Sequence, residues 1–231
     1  MNTNNPPDWP AIFKALENWR KKFLLRPDSE DVVVTELADE YSAGPNKAWA
    51  VLVSTILSLR TKDEVTRVTS RRLLKDAPGP AELLTLGVEK TARLVYPAGF
   101  YRTKAASLAK IAAILLDKYE GKVPADMDAL LELPGVGRKS ANLILIEAFD
   151  MDGICVDIHV HRICNRAAWL NTPNPDKTEL VLREILPKRY WKRFNGLLVL
   201  YGQNLCRPQS PFCSRCVISV YCKKFGVEKN R

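Results

Sequence analysis

What this 231-residue chain lacks narrows its class before any motif is considered. No apolar run reaches the roughly 18 residues of a membrane-crossing helix, so no membrane association is expected. The opening MNTNNPPDWP has neither the basic nor the apolar stretch that marks export, which leads us to expect a cytoplasmic protein with reduced thiols. Histidine is scarce: there are only two, His159 and His161. No stretch alternates apolar and polar residues for long enough to argue for a sheet. There is no low-complexity linker, no solenoid period and no heptad seam, and a monomer is the default expectation.

Acidic side chains are also in deficit, 26 against 35 basic, which leaves a net charge of +9. The excess is uneven, at −3 over residues 1–40, +4 over 41–151 and +8 over 152–231. A basic C-terminal third points to a polyanion partner, nucleic acid first, with a merely solvated basic surface as the alternative.

Within that basic region lie Cys206, Cys213, Cys216 and Cys222, in the order C-x6-C-x2-C-x5-C. Four thiolates so close in sequence read as one four-sulfur site, and the spacing alone suits zinc or an iron–sulfur cube equally well. Two disulfides are the alternative, and they would need an oxidising compartment. Cys155 and Cys164 sit in apolar or mixed sequence and read as packing residues.

Helical periodicity runs through nearly the whole chain. Residues 9–23 place Ile12, Leu16 and Trp19 on one face, and 46–59 are apolar almost all round, the pattern of a buried central helix. Val32, Val33 and Val34 could open with a short strand before a helix continues. Thr61 to Glu64 reads as a T-x-x-E capping box that starts the next helix. Further helices are expected at 80–86, 88–96, 103–119, 126–133, 139–149, 159–170, 177–186 and 191–205, giving an all-α protein of two helical lobes about a groove.

Leu133-Pro-Gly-Val-Gly-Arg-Lys-Ser joins two of these helices. Gly135 and Gly137 permit a tight turn, and the amides that open the second helix can receive a phosphate. A nucleotide-binding P-loop is excluded, because Arg138 separates Gly137 from Lys139 and a helix, not a strand, precedes the turn. A glycine turn that serves packing alone is the other reading.

LPGVGRKSAN, VDIHVHRICNR at 156–166, the cysteine run and ILSLRTKDEVT at 56–66 stand in one order and spacing. Together they make the chain resemble the helix-hairpin-helix DNA glycosylase superfamily and, within it, the endonuclease III family. The resemblance spans roughly residues 45–222. It implies a six-helix barrel domain with the hairpin over 41–151, and a discontinuous iron–sulfur domain from 1–40 and 152–231 with its cluster loop at 206–222. It also selects a [4Fe-4S] cluster on the four cysteines over zinc.

By motif, Lys139 matches the family's nucleophile and Asp157 its catalytic aspartate. A lysine amine attacks only when neutral, and the opening turn of a helix beside Arg138 disfavours its charge. The carboxylate would stabilise positive character on the sugar. Without the resemblance, a surface lysine and a helix-capping aspartate would be the plainer readings. Asp157, His159 and His161 could ligate a metal from a strand, but the helical sequence that follows scatters that spacing. His159 is expected close to the active site instead.

Gly135, Val136, Gly137 and Arg138 are the expected DNA contacts of the hairpin. Arg60 and Phe100 are the side chains expected to fill the gap left by an extruded nucleotide. Arg207, Arg215, Lys223 and Lys224 would meet phosphates beside the cluster. Arg60 replaces the family's usual glutamine, and Leu131 is apolar where some members carry an acid. The implied activity is a bifunctional glycosylase and AP lyase of base excision repair, acting on oxidised or ring-saturated pyrimidines in double-stranded DNA, or on abasic sites, at the nucleoid. A mismatch glycosylase of the same superfamily and a non-catalytic iron–sulfur DNA-binding or redox module are the alternatives.

Overall fold

The computed structural model describes residues 7–44 and 46–231, and among them there is no strand. The chain divides into two compact units, Val32–Gly153 and the preceding segment to Asp31 joined with Ile154–Arg231.

Helix α1 (Trp9–Leu24) belongs to the unit that contains Ile154–Arg231. The Val32–Gly153 unit contains α2 (Val33–Glu40), α3 (Lys47–Ser58), α4 (Asp63–Asp76), α5 (Pro80–Leu86), α6 (Val88–Val95), α7 (Tyr101–Lys118), α8 (Met127–Leu131) and α9 (Arg138–Phe149). Every residue of α3 from Trp49 to Leu57 is buried, as its all-round apolar sequence requires. It packs against α2, α4, α7 and α9 and so forms the axis of this unit.

Two local expectations are corrected here. Val32 is extended, but Val33 and Val34 already belong to α2 and are buried at 1% and 2% exposure, so their branched side chains serve packing and not a strand. The capping box at Thr61 does not form. Lys62 is the N-cap of α4 and makes no side-chain cap bond, because the Thr61 hydroxyl is engaged elsewhere. Helix α2 packs on α3, α4 and α9, which places the break between units near residue 32, ahead of the expected 41.

The other unit holds α1, α10 (Ile158–Arg166), α11 (Pro175–Ile185) and α12 (Trp191–Asn204), followed by a loop with two 3-10 turns, Cys213–Arg215 and Ser219–Tyr221. Its core is aromatic: the Phe13 ring stacks on Tyr190 at 3.9 Å between centres, and Trp9 meets Phe194 edge-on at 5.8 Å. Cys206, Cys216 and Cys222 are partly buried against this core. No helix among the described residues is long and apolar enough to cross a membrane.

Candidate active site and cysteine centre

The hairpin forms where the glycines allow it. After α8 the chain turns through a Val136 amide to Leu133 carbonyl bond of 3.0 Å, with Gly135 at φ +83°, a conformation that side chains other than glycine rarely adopt. Leu133 and Val136 are buried and anchor the turn from below. Gly137 is the N-cap of α9 and offers no side chain to its opening amides, the arrangement that suits an anion. Arg138 is exposed and Lys139 half-buried in that first turn.

Asp157 is the N-cap of α10. Its Oδ1 accepts from the amides of His159 at 2.8 Å and Val160 at 2.9 Å. Both bonds fall on one oxygen, Oδ1. The capping role weighed from sequence is therefore real, and it fixes the carboxylate's direction. The two histidines diverge: Nδ1 of His159 lies 3.1 Å from the Arg162 guanidinium, while Nδ1 of His161 lies 2.7 Å from the Thr178 hydroxyl. The D-x-H-x-H pattern is thus split between two neighbourhoods. Arg162 also donates to the carbonyls of Gly202 at 3.1 Å and Cys206 at 2.8 Å, tying α10 to the end of α12; burial lowers its pKa.

Arg60 and Phe100 come together. Each sits third in a hydrogen-bonded turn, Ser58 to Thr61 and Ala98 to Tyr101, both closed by bonds of 3.1 Å. Each is left-handed, at φ +53° and +56°, a conformation that costs a non-glycine residue about 1 kcal/mol. The Arg60 guanidinium carbon lies 5.6 Å from the centre of the Phe100 ring, and Phe100 is 62% exposed. Beneath them is a residue that the sequence did not single out. Lys104, 7% exposed, donates to the carbonyls of Leu57 (2.8 Å) and Leu59 (2.6 Å) and to the Thr61 hydroxyl (2.7 Å).

All four cysteines of the C-terminal run line one pocket, walled on its apolar side by Leu205, Pro211 and Phe212. Three of their sulfurs receive donors: Cys206 from the Arg166 guanidinium at 3.3 Å, Cys216 from the Tyr201 hydroxyl at 3.2 Å and Cys222 from the Lys224 amide at 3.3 Å. Burial, and then the neighbouring Cys216, push the Tyr201 hydroxyl pKa up, which keeps it a donor. Cys155 and Cys164 are fully buried and do not line this pocket, and burial pushes the Cys164 thiol up, as suits a packing residue. Arg207 and Arg215, with Arg231, gather on the faces of Phe212 at 5.4, 4.4 and 4.1 Å from its centre. Lys223 and Lys224 are exposed beyond the last cysteine. Phe212 as a common seat for three guanidiniums was not legible in the sequence.

A family model described as HhH-GPD superfamily base excision DNA repair protein matches residues 53–188, from within α3 to just past α11. The hairpin and the residues around it are accordingly those of a helix-hairpin-helix repair protein. The chain is 42% identical to endonuclease III of Thermotoga maritima over 175 residues, 76% of this chain and 82% of that protein. It is 38% identical to endonuclease III homolog 1, chloroplastic, of Arabidopsis thaliana over 230 residues, 94% of this chain and 59% of that protein. A solved structure of a trapped endonuclease III–DNA covalent intermediate superposes with a TM-score of 0.76 at 30% identity, covering 97% of each chain. The chain belongs to the endonuclease III family.

Proposed function

We propose that this base excision DNA glycosylase and AP lyase removes oxidised or ring-saturated pyrimidines from duplex DNA, with Lys139 as nucleophile and Asp157 as its acidic partner. It works as a monomer in the cytoplasm, at the nucleoid. The observation that carries the reading is the position of Lys139 in the first turn of α9, directly after a hairpin whose opening amides suit a phosphate. A structural relative caught as a covalent intermediate with DNA supports a covalent route.

The chemistry follows from an amine and a carboxylate. The neutral Lys139 amine attacks C1′ of the extruded nucleotide, and the bond from C1′ to the base breaks with the electron pair leaving on the base. Negative charge on the Asp157 carboxylate favours the positive character that C1′ gains as that bond lengthens. Loss of the amine proton and opening of the sugar ring give an imine between Lys139 and C1′. The imine acidifies C2′; a base takes that proton, and the C3′–O bond breaks to release the 3′ phosphate. Water then hydrolyses the imine and frees the lysine.

The four cysteines fit a [4Fe-4S] cluster. They line one pocket. Membership of the endonuclease III family favours a cube of iron and sulfide over one zinc, and donors to Cys206, Cys216 and Cys222 suit thiolate ligands. Such a cluster, when bound, cross-links the loop and so holds Arg207, Arg215, Lys223 and Lys224 toward phosphates.

The test is base release from duplexes that each carry one thymine glycol, one mispaired thymine or one adenine opposite an oxidised guanine. Release with strand cleavage at thymine glycol is expected. Release confined to a mispaired base would overturn the assignment of substrate, and about four irons per chain without zinc is the expected metal content.

A further inference from the structure

Lys104 is a lysine in a basic, DNA-processing chain that is spent entirely on partners within its own fold. An ammonium has three N–H donors, and here all three have partners: the carbonyls of Leu57 and Leu59 and the hydroxyl of Thr61. No donor remains for a phosphate, and at 7% exposure the side chain does not present itself to one. Leu57 lies in the last turn of α3, where carbonyls lack partners within the helix, and Leu59 is its C-cap. The lysine therefore closes the negative end of the central helix.

The same ammonium reaches across to a second segment. The Thr61 oxygen that accepts from Lys104 also accepts from the Gly99 amide at 3.0 Å. A Cβ at position 99 would run into the Arg60 carbonyl oxygen, so only glycine lets the two turns approach this closely. Lys104 itself stands in the first turn of α7, four residues after Phe100, whose carbonyl accepts the Lys104 amide at 3.0 Å. One residue is thus bonded to the turn that carries Arg60 through its side chain and to the turn that carries Phe100 through its backbone.

Both turns hold a non-glycine residue in the left-handed region, a conformation that persists only where surrounding contacts impose it. The Lys104–Thr61–Gly99 chain supplies such contacts. Burial pushes the Lys104 pKa down to about 8, so the fold keeps an amine where an apolar side chain of similar length would avoid that desolvation.

We infer that Lys104 is a positioning residue: by locking the Ser58–Thr61 and Ala98–Tyr101 turns together it presets Arg60 and Phe100 as one rigid wedge that enters the base stack when the damaged nucleotide leaves it. This rests on the glycosylase function proposed above. A wedge set before contact spares the ordering of two side chains and two loops at the moment the duplex is deformed. Its effect should therefore fall on substrates that must be unstacked, and not on those already extruded.

The experiment compares wild type, Lys104→Met, Thr61→Val and Thr61→Ser on thymine glycol paired with adenine and on thymine glycol in a single-nucleotide bulge. Single-turnover excision is measured alongside the fluorescence of 2-aminopurine placed opposite a non-cleavable abasic analogue. Lys104→Met and Thr61→Val should lose about tenfold on the paired lesion and less than about twofold on the bulge, with the fluorescence rise on binding diminished. Thr61→Ser, which keeps the hydroxyl, should restore the wild-type ratio. Equal losses on both substrates, or none, would show a structural lysine and overturn the inference. Should Lys104→Met fail to fold, the Thr61→Val and Thr61→Ser pair decides by the same ratio. A wild type that brightens 2-aminopurine but excises neither substrate would contradict the glycosylase reading and leave the wedge standing; a wild type without that fluorescence rise would overturn the wedge.

Discussion

The turns that carry Arg60 and Phe100 and the loop that carries the four cysteines both hold functional side chains outside regular helix, by different means. The turns use only protein groups: a buried ammonium, a threonine hydroxyl and a glycine at the point of closest approach. The loop at 206–222 has two short 3-10 turns, of which no residue is buried, and it leans on the aromatic core through the buried Ile218 and through Tyr221, Cys206, Cys216 and Cys222. The first arrangement is complete once the chain folds. The second has its sulfurs around a pocket, and the proposed cluster would add rigidity there. The strained pair beside α3 is held without a metal; the proposed cluster would stiffen the basic loop.

The contrast is broken most severely at the cysteines. Cys216→Ala should abolish iron binding and make 206–222 protease-sensitive, while helical circular dichroism elsewhere stays near that of the wild type. A loop that resisted proteolysis without metal would remove the distinction between the two regions.

A smaller loss is expected at Lys104. Lys104→Met leaves two carbonyls and a hydroxyl without their donor, and urea unfolding should report a loss of about 1–3 kcal/mol. The pH dependence has a definite sign. The folded pKa, about 8, lies below the usual lysine value near 10.4, so between those values the unfolded chain binds more protons. Stability from this group should rise with pH across that window and be lost as pH falls through about 8. Lys104→Met should flatten that slope, and an unchanged slope would place its origin elsewhere.

At the basic loop the effect should be smaller again and should depend on salt. Phe212→Ala removes the ring shared by Arg207, Arg215 and Arg231, worth about 0.5–1 kcal/mol for each exposed guanidinium. DNA affinity should drop by several-fold and the slope of log affinity against log salt should lessen, whereas Arg215→Ala alone should reduce it by about 1. An unaltered salt slope would show that the ring does not orient phosphate contacts. Arg71→Ala, which breaks exposed pairs to Glu36 and Glu40, should change stability by less than about 1 kcal/mol.

The parts legible in sequence are those written in one continuous stretch. The hairpin declared itself through Gly135 and Gly137, the buried α3 through its unbroken apolar residues, and the cysteine centre through its spacing. The lysine clamp did not, because the partners of Lys104 are two backbone carbonyls and a hydroxyl more than 40 residues away, and carbonyls leave no mark on side-chain pattern. For the same reason Thr61 looked like a helix cap: its local T-x-x-E context is favourable, and only the approach of α7 redirects its hydroxyl. The break near residue 32 leaves no mark in the sequence, because α2 is amphipathic enough to pack on either unit. What decides is which neighbours its face meets, namely α3, α4 and α9.

Borohydride reduction during reaction with an abasic-site duplex tests most directly whether catalysis runs, as proposed, through an imine on Lys139. The expected result is a stable protein–DNA adduct with wild type, mapped by peptide mass to Lys139, and none with Lys139→Ala. An adduct that persists in Lys139→Ala, or none from iron-loaded wild type that cleaves the strand, would contradict it.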